Sequence, residues 1–177
     1  ALLRLIPEAV FGFDNDNLGI ALGRMLVNAG ATMATAESCT GGSIAQFITS
    51  NAGSSAYFKG GVVAYSNEIK NKMLDVPLET IAKFGAVSKE VAELMAVGAR
   101  KVLGAGYAVA TTGIAGPDGG SEEKPVGTVW IAVAGRAGVV SKKYIFQHNR
   151  ERNIIRTTHT ALNMLRIFIQ NEKTSQI

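Results

Sequence analysis

A chain of 177 residues suits one domain of ordinary size, and folding at that length buries roughly 70% of the unfolded surface, so no disulfide or metal staple is needed. Apolar residues supply 47% and charged residues 18%, with 20 glycines, which excludes a disordered chain or a coiled coil and favours a globular α/β protein. The 18 basic and 14 acidic side chains leave a net charge of +4. The densest basic group is Lys142, Lys143, Arg150, Arg152 and Arg156, without the interleaved aromatics of single-strand binders. A small anionic ligand fits such a corner better than a duplex does, so no nucleic-acid partner is expected. No apolar run approaches the ~18 residues of a membrane span, so no membrane partner is expected either. The single cysteine, Cys39, excludes a disulfide or multi-cysteine zinc site within this sequence and suits a reducing cytoplasm, the expected location.

In chain order, residues 1–16 read as an appendage, because the stretch 11–17 follows neither hydrophobic period and has linker composition. Leu18, Leu22, Met25 and Leu26 then fall at helical spacing, with Gly30 placed to stop the helix. Residues 31–36 read as a short buried strand, followed by the turn Glu37-Ser38-Cys39-Thr40-Gly41-Gly42 and a helix to about residue 49. A second strand is expected over 60–65 and a helical turn over 67–74. Pro77 opens a short helix that ends at Gly85, and Ser88 is placed to cap a helix carrying Val91, Leu94, Met95 and Val102 inward, stopped by Gly104. Residues 107–112 form a third strand emptying into the glycine-rich loop 113–120. Residues 126–134 and 139–146 alternate as a hairpin. A last helix runs over 150–169 with Ile155, Leu162, Leu165 and Ile169 on one face, leaving 171–177 as a tail.

Strands alternating with helices and closing on a hairpin predict a three-layer α/β/α sandwich with a mixed, mostly parallel sheet. Ligands of such sheets sit beyond the carboxyl ends of the strands, which here carry the Ser38 turn, Tyr65 and the Thr112 loop. The sequence holds no P-loop, no GxGxxG after a strand and no HExxH, and no metal or cofactor is expected. His148 and His159 are poorly placed for a triad with Ser38. Ser38 follows a strand and precedes two glycines and a helix, the placement of a nucleophile elbow without its GxSxG sequence. The N–H groups at that helix start would suit an oxyanion; equally, Ser38 or Thr40 would serve simply as the helix cap. Lys70 is the lysine placed to activate a serine in this cleft, with Lys59, Lys72 and Lys83 as competitors. Cys39 is the rival nucleophile or a small buried side chain. Thr111 and Thr112 offer hydroxyls to the cleft, the 113–120 loop is either an anion nest or a system of tight turns, and Arg150 is either a phosphate clamp or a surface residue.

Taken together, Thr35-Ala36-Glu37-Ser38-Cys39-Thr40-Gly41-Gly42, Ala52-Gly53-Ser54-Ser55-Ala56-Tyr57-Phe58, Tyr65-Ser66-Asn67-Glu68, Gly85-Ala86-Val87-Ser88, Thr112-Gly113-Ile114-Ala115-Gly116-Pro117-Asp118-Gly119-Gly120 and Lys124-Pro125-Val126-Gly127-Thr128-Val129 resemble the C-terminal domain of the CinA (competence/damage-inducible) family. The resemblance covers about residues 17–169, with the motifs in family order. It implies a five-stranded mixed sheet and a metal-free serine–lysine amidohydrolase. That enzyme deamidates nicotinamide mononucleotide to nicotinic acid mononucleotide and ammonia, in pyridine-nucleotide salvage. Carried over by motif, Ser38 is the nucleophile, Lys70 the base, and Tyr65 and Thr112 line the site. Thr40, Gly41, Gly42, Gly113, Gly116 and Arg150 are the implied substrate-binding residues, Arg150 for the phosphate. The family commonly has Gly-Asp before that arginine where this chain has His148-Asn149, which leaves Arg152 and Arg156 as alternatives. In long family members a molybdopterin-binding-like domain comes first, so residues 1–16 are expected to be the end of its linker; a homo-oligomer is expected. The competing reading is a non-catalytic nucleotide-binding or interaction module, which would not need Ser38 together with Lys70.

Overall fold

The computed structural model describes residues 16–174, in which a β/α first half leads to three successive helices, three successive strands and a final helix. The elements are α1 (Leu18–Asn28), β1 (Met33–Glu37), α2 (Ser43–Thr49), β2 (Phe58–Val63), α3 (Asn67–Leu74), α4 (Leu78–Phe84), α5 (Lys89–Val102), β3 (Tyr107–Gly113), β4 (Thr128–Gly135), β5 (Gly138–Ile145) and α6 (Arg150–Thr174). Four helices begin on side-chain caps that satisfy an otherwise orphaned N–H: Asn17 accepts from Ile20, Ser66 from Ile69, Ser88 from Val91 and Asn149 from Arg152. Pro77 and Gly85 bracket α4, as their backbone preferences favour.

The sheet order is β2-β1-β3-β4-β5. The β1–β2 and β1–β3 pairings are parallel and the β3–β4 and β4–β5 pairings antiparallel, so all strands but β4 run the same way. Side chains alternate between the faces with size as well as direction. Met33, Val109, Val129, Ile131 and Val133 face α1, α2 and α6, meeting Leu22, Ile44 and Leu162. Ala34, Ala36, Ala108, Ala110, Ala132 and Ala134 face the other way, where small side chains accommodate α5 and its Val91, Met95 and Ala99. Helices cover both faces, so β1 is buried along its whole length and β3 and β4 nearly so. On the α5 side, a Cβ on Gly98 would stand 2.1 Å from the Leu74 carbonyl oxygen, so this glycine sets how closely α3 and α5 approach.

Several element bounds differ from expectation. The strand expected over 60–65 is Phe58–Val63: Ala64 still donates its N–H to Glu37, after which the chain leaves the sheet. The hairpin strands are displaced so that Gly135 pairs with Gly138, leaving Arg136 and Ala137 as a two-residue turn. Val102 and Ile155, expected inward, are exposed. Val102 is the last residue of α5, with no further turn to cover it. In the first turns of α6 the buried positions belong to polar Asn153 and Thr157, because Asn153 donates to the Ala115 and His148 carbonyls. Helix α6 also outruns its expected end at 169 and takes in part of the expected tail, helped by Glu172, which accepts from the Tyr107 hydroxyl and the Ala137 N–H. The linker expected over 1–16 lies, except for Asp16, outside the described residues. Among the described residues, no helix is long and apolar enough to cross a membrane.

Candidate active site

Because β1, β2 and β3 are parallel, their carboxyl ends share one edge of the sheet, with Glu37 paired to Val63 on one side and Thr111 on the other. The chain leaves β1 through a tight turn in which the Ser38 N–H donates to the Thr111 carbonyl and the Gly41 N–H returns to the Ser38 carbonyl. Gly41 and Gly42 hold φ of +61° and +102°, left-handed backbone angles that favour glycine. These glycines therefore serve the turn. A cavity of about 310 Å³ opens at this edge, with Ser38, Lys70, Thr112 and Arg150 on its wall.

Lys70 rises from the first turn of α3 and is almost completely buried, at 1% exposure. Its Nζ lies 3.1 Å from Ser38 Oγ, 2.9 Å from the Ala64 carbonyl oxygen and 3.4 Å from that of Tyr65. All three partners are uncharged. Loss of hydration lowers the lysine's pKa below its ordinary value. Nζ donates to all three; once deprotonated, the amine can keep two N–H groups on the carbonyls and turn its lone pair to the Ser38 hydroxyl. Lys59, Lys72 and Lys83, the competing lysines, are exposed.

Cys39 also touches the cavity, but its thiol belongs to the core cluster with Ile44 and Val109, and desolvation pushes its pKa up to about 12. His148 and His159 do not line the cavity; His159 packs edge-on against Phe47, with ring centroids 4.9 Å apart. Thr112 and Thr111 part company, as neighbours on a strand must. Thr112 lines the cavity and its Oγ1 donates to the Ala86 carbonyl at 2.8 Å, whereas Thr111 Oγ1 pairs with Thr40 Oγ1 at 2.8 Å. The expectation that both threonines face the cleft is thus corrected for Thr111.

Thr40, Gly41 and Gly42 do not line the cavity. Nor are the N–H groups at the start of α2 available to an oxyanion, because Gly42, Ile44 and Ala45 all donate to the carboxylate of Glu37. That same carboxylate, and neither Ser38 nor Thr40, caps the helix. Gly113 and Gly116 do line the cavity, and the Gly116 carbonyl accepts from Arg150 Nη1 at 2.8 Å. Arg150 Nη2 donates to the Tyr65 hydroxyl at 3.1 Å, so α6, the glycine loop and the β2–α3 connection meet at one guanidinium. Both acceptors are neutral, and among the described residues no carboxylate forms an ion pair with Arg150. Arg152 and Arg156 lie on the same helix outside the cavity lining. Asn67 and Asp118 line the cavity without having been singled out in the sequence, although both sit inside the quoted motifs. Among the described residues, no three His, Cys, Asp or Glu side chains are grouped to hold a metal ion.

The family model of the CinA C-terminal domain matches residues 15–169. A CinA-like protein from Cytophaga hutchinsonii is 51% identical over 166 residues, covering 94% of this chain and 40% of that protein. One from Geobacter sulfurreducens is 53% identical over 161 residues, covering 91% and 39%. The chain therefore spans about two fifths of these relatives' length. Among solved structures, a competence-damaged protein (CinA) superfamily protein from Klebsiella pneumoniae superposes with a TM-score of 0.84 at 34% identity, covering 87% of this chain and 96% of the other. A competence/damage inducible protein from Agrobacterium tumefaciens does so with a TM-score of 0.80 at 42% identity, covering 90% and 99%. With the five-stranded mixed sheet between two helical layers, these matches establish that the chain belongs to the CinA family, in its C-terminal domain.

Proposed function

We propose that this domain hydrolyses the carboxamide of nicotinamide mononucleotide, giving nicotinic acid mononucleotide and ammonia, with Ser38 as nucleophile and Lys70 as its base. The observation that carries this reading is the 3.1 Å contact between Ser38 Oγ and a buried lysine whose pKa is lowered by desolvation. Neutral Lys70 takes the hydroxyl proton as Ser38 Oγ bonds to the carboxamide carbon. The resulting ammonium returns that proton to the amide nitrogen as the C–N bond breaks, and ammonia leaves. A water then attacks the nicotinoyl ester, giving a proton to Lys70, which passes it to Ser38 Oγ as the acid departs.

In this reading the other cavity residues select the substrate. Thr112 Oγ1, its own proton committed to Ala86, offers a lone pair to a carboxamide N–H. Arg150, held by neutral acceptors, keeps its charge for the 5′-phosphate. The test is ammonia release from nicotinamide mononucleotide by the purified chain, with and without EDTA. Equal turnover in both is expected, with nicotinic acid mononucleotide as the second product. Binding without turnover would replace the enzyme with a nucleotide-binding module, and loss of turnover in EDTA would contradict the metal-free mechanism.

A further inference from the structure

Glu37 is the last residue of β1 and the one immediately before Ser38. Its side chain is a carboxylate at 1% exposure on a strand whose other members are Met33, Ala34, Thr35 and Ala36. Among the described residues, no cation forms an ion pair with it. Instead Oε2 accepts from the Gly42 and Ile44 N–H groups at 3.0 Å each, and Oε1 accepts from Ala45 at 2.8 Å. These are donors that a helix leaves orphaned at its start, and the residue in the capping position, Gly42, has no side chain to offer them.

Burying a charge without a counter-ion is costly unless several donors hold it. A serine or aspartate in the ordinary capping position would satisfy such donors locally, without bridging to the strand. The strand carboxylate does what a local cap does not: it joins the residue before the Ser38 turn to the residues after it. Between those points lie Gly41 and Gly42, the residues with the most backbone freedom.

We propose that Glu37 is the positioning residue of the site: its carboxylate staples β1 to α2 across the glycine turn and so holds Ser38 Oγ against Lys70. This rests on Ser38 being the nucleophile. It also closes the start of α2 to substrate, because the donors that would bind an anion there are already engaged.

The test compares the parent chain with Glu37→Ala and Glu37→Gln, each checked for folding by thermal melting. Three quantities are read: the rate at which a fluorophosphonate labels Ser38, kcat and KM for nicotinamide mononucleotide, and hydrogen exchange at the Gly42, Ile44 and Ala45 amides. Glu37→Ala is expected to lose about 10²-fold in labelling rate and kcat, the scale of a misplaced reacting atom, with KM within about threefold. The three amides should exchange faster while those of β3 stay protected. Glu37→Gln keeps one carbonyl acceptor in the same space and should recover part of both losses. A folded Glu37→Ala chain that labels within about threefold of the parent overturns the proposal, as does a loss confined to KM. Where Glu37→Ala does not fold, Glu37→Leu, which fills a similar volume without an acceptor, decides by the same criterion. A parent that labels at Ser38 but releases no ammonia rejects only the substrate, and Glu37 is still judged by labelling. A parent that neither labels nor turns over rejects the nucleophile, and this inference with it.

Discussion

Lys70 Nζ lies 3.1 Å from Ser38 Oγ although 32 residues separate them in the chain. The parallel β1–β2 pairing produces this contact. Glu37 and Val63 are in register, so Ser38 and the 64–66 connection leave the sheet side by side, and the Ser66 cap starts α3 at once. Lys70 then lies one turn into the helix, with the Ala64 carbonyl under its amine.

A buried lysine with a lowered pKa has a consequence for stability whose sign is fixed. Between the folded value and the unfolded value near 10.5, the unfolded chain binds more protons, so the lysine's contribution to stability rises with pH. Below the folded value, burial of the ammonium costs stability in full. A Lys70→Met variant should therefore compare most favourably with the parent at neutral pH, and that advantage should shrink as pH approaches 10.5. The raised pKa values of Tyr57, Tyr107 and Tyr144 act in both proteins and cancel in the comparison. Urea unfolding of both chains at neutral and alkaline pH measures this; an advantage that grows with pH would contradict it.

The same titration governs rate. Since Lys70 must be neutral to accept the serine proton, activity should rise with pH through its lowered pKa. Lys70→Ala should lose on the order of 10²–10⁴-fold in kcat, the usual worth of a positioned general base. The rising limb should disappear with it. A pH–rate profile that keeps the limb in the variant would assign it to another group.

Arg150→Ala removes a guanidinium whose partners, Gly116 and Tyr65, are neutral. If it holds the phosphate, substrate binding should weaken by roughly 1.5–3 kcal/mol, the range for hydrogen bonds to a charged group. Folding should be little changed. The dephosphorylated riboside should be a poor substrate for the parent, and equal turnover of riboside and nucleotide would place the phosphate elsewhere.

Gly98→Ala tests the packing beneath the site. Its methyl would press on the Leu74 carbonyl at the end of α3, which is backbone and cannot rotate away. Overpacking of this kind costs about 1–3 kcal/mol, and a clear drop in the melting temperature is expected. An unchanged melting temperature would mean that α3 and α5 separate without penalty.

Features that depend on neighbours in sequence were legible there. Ser88 caps α5 as its local capping chemistry predicts, and α3 has its expected bounds. Gly41 and Gly42 were marked as special, but they serve the backbone angles of the turn and do not line the cavity. Glu37 was not legible as a cap. It reaches forward five, seven and eight residues, outside any local capping spacing, and only the direction of the β1–α2 turn brings it there. The Thr40–Thr111 pair, 71 residues apart, likewise requires β1 and β3 to be neighbours. Ile155 shows the limit of helical periodicity. Angle alone puts it with Leu162, but the first turns of α6 face the loop that Asn153 binds.

The central claim is that Ser38, and not the adjacent Cys39, attacks the carboxamide. Desolvation pushes the Cys39 thiol up to about 12, so almost no thiolate exists at neutral pH, whereas Ser38 Oγ lies 3.1 Å from an amine whose pKa is lowered by burial. The direct measurement is ammonia release from nicotinamide mononucleotide by the parent, Ser38→Ala and Cys39→Ala, with folding of each checked by circular dichroism. The account predicts that Ser38→Ala releases none above background while Cys39→Ala retains substantial turnover. A folded Ser38→Ala chain that still turns over, beside an inactive Cys39→Ala, would contradict it and put the thiol in place of the hydroxyl.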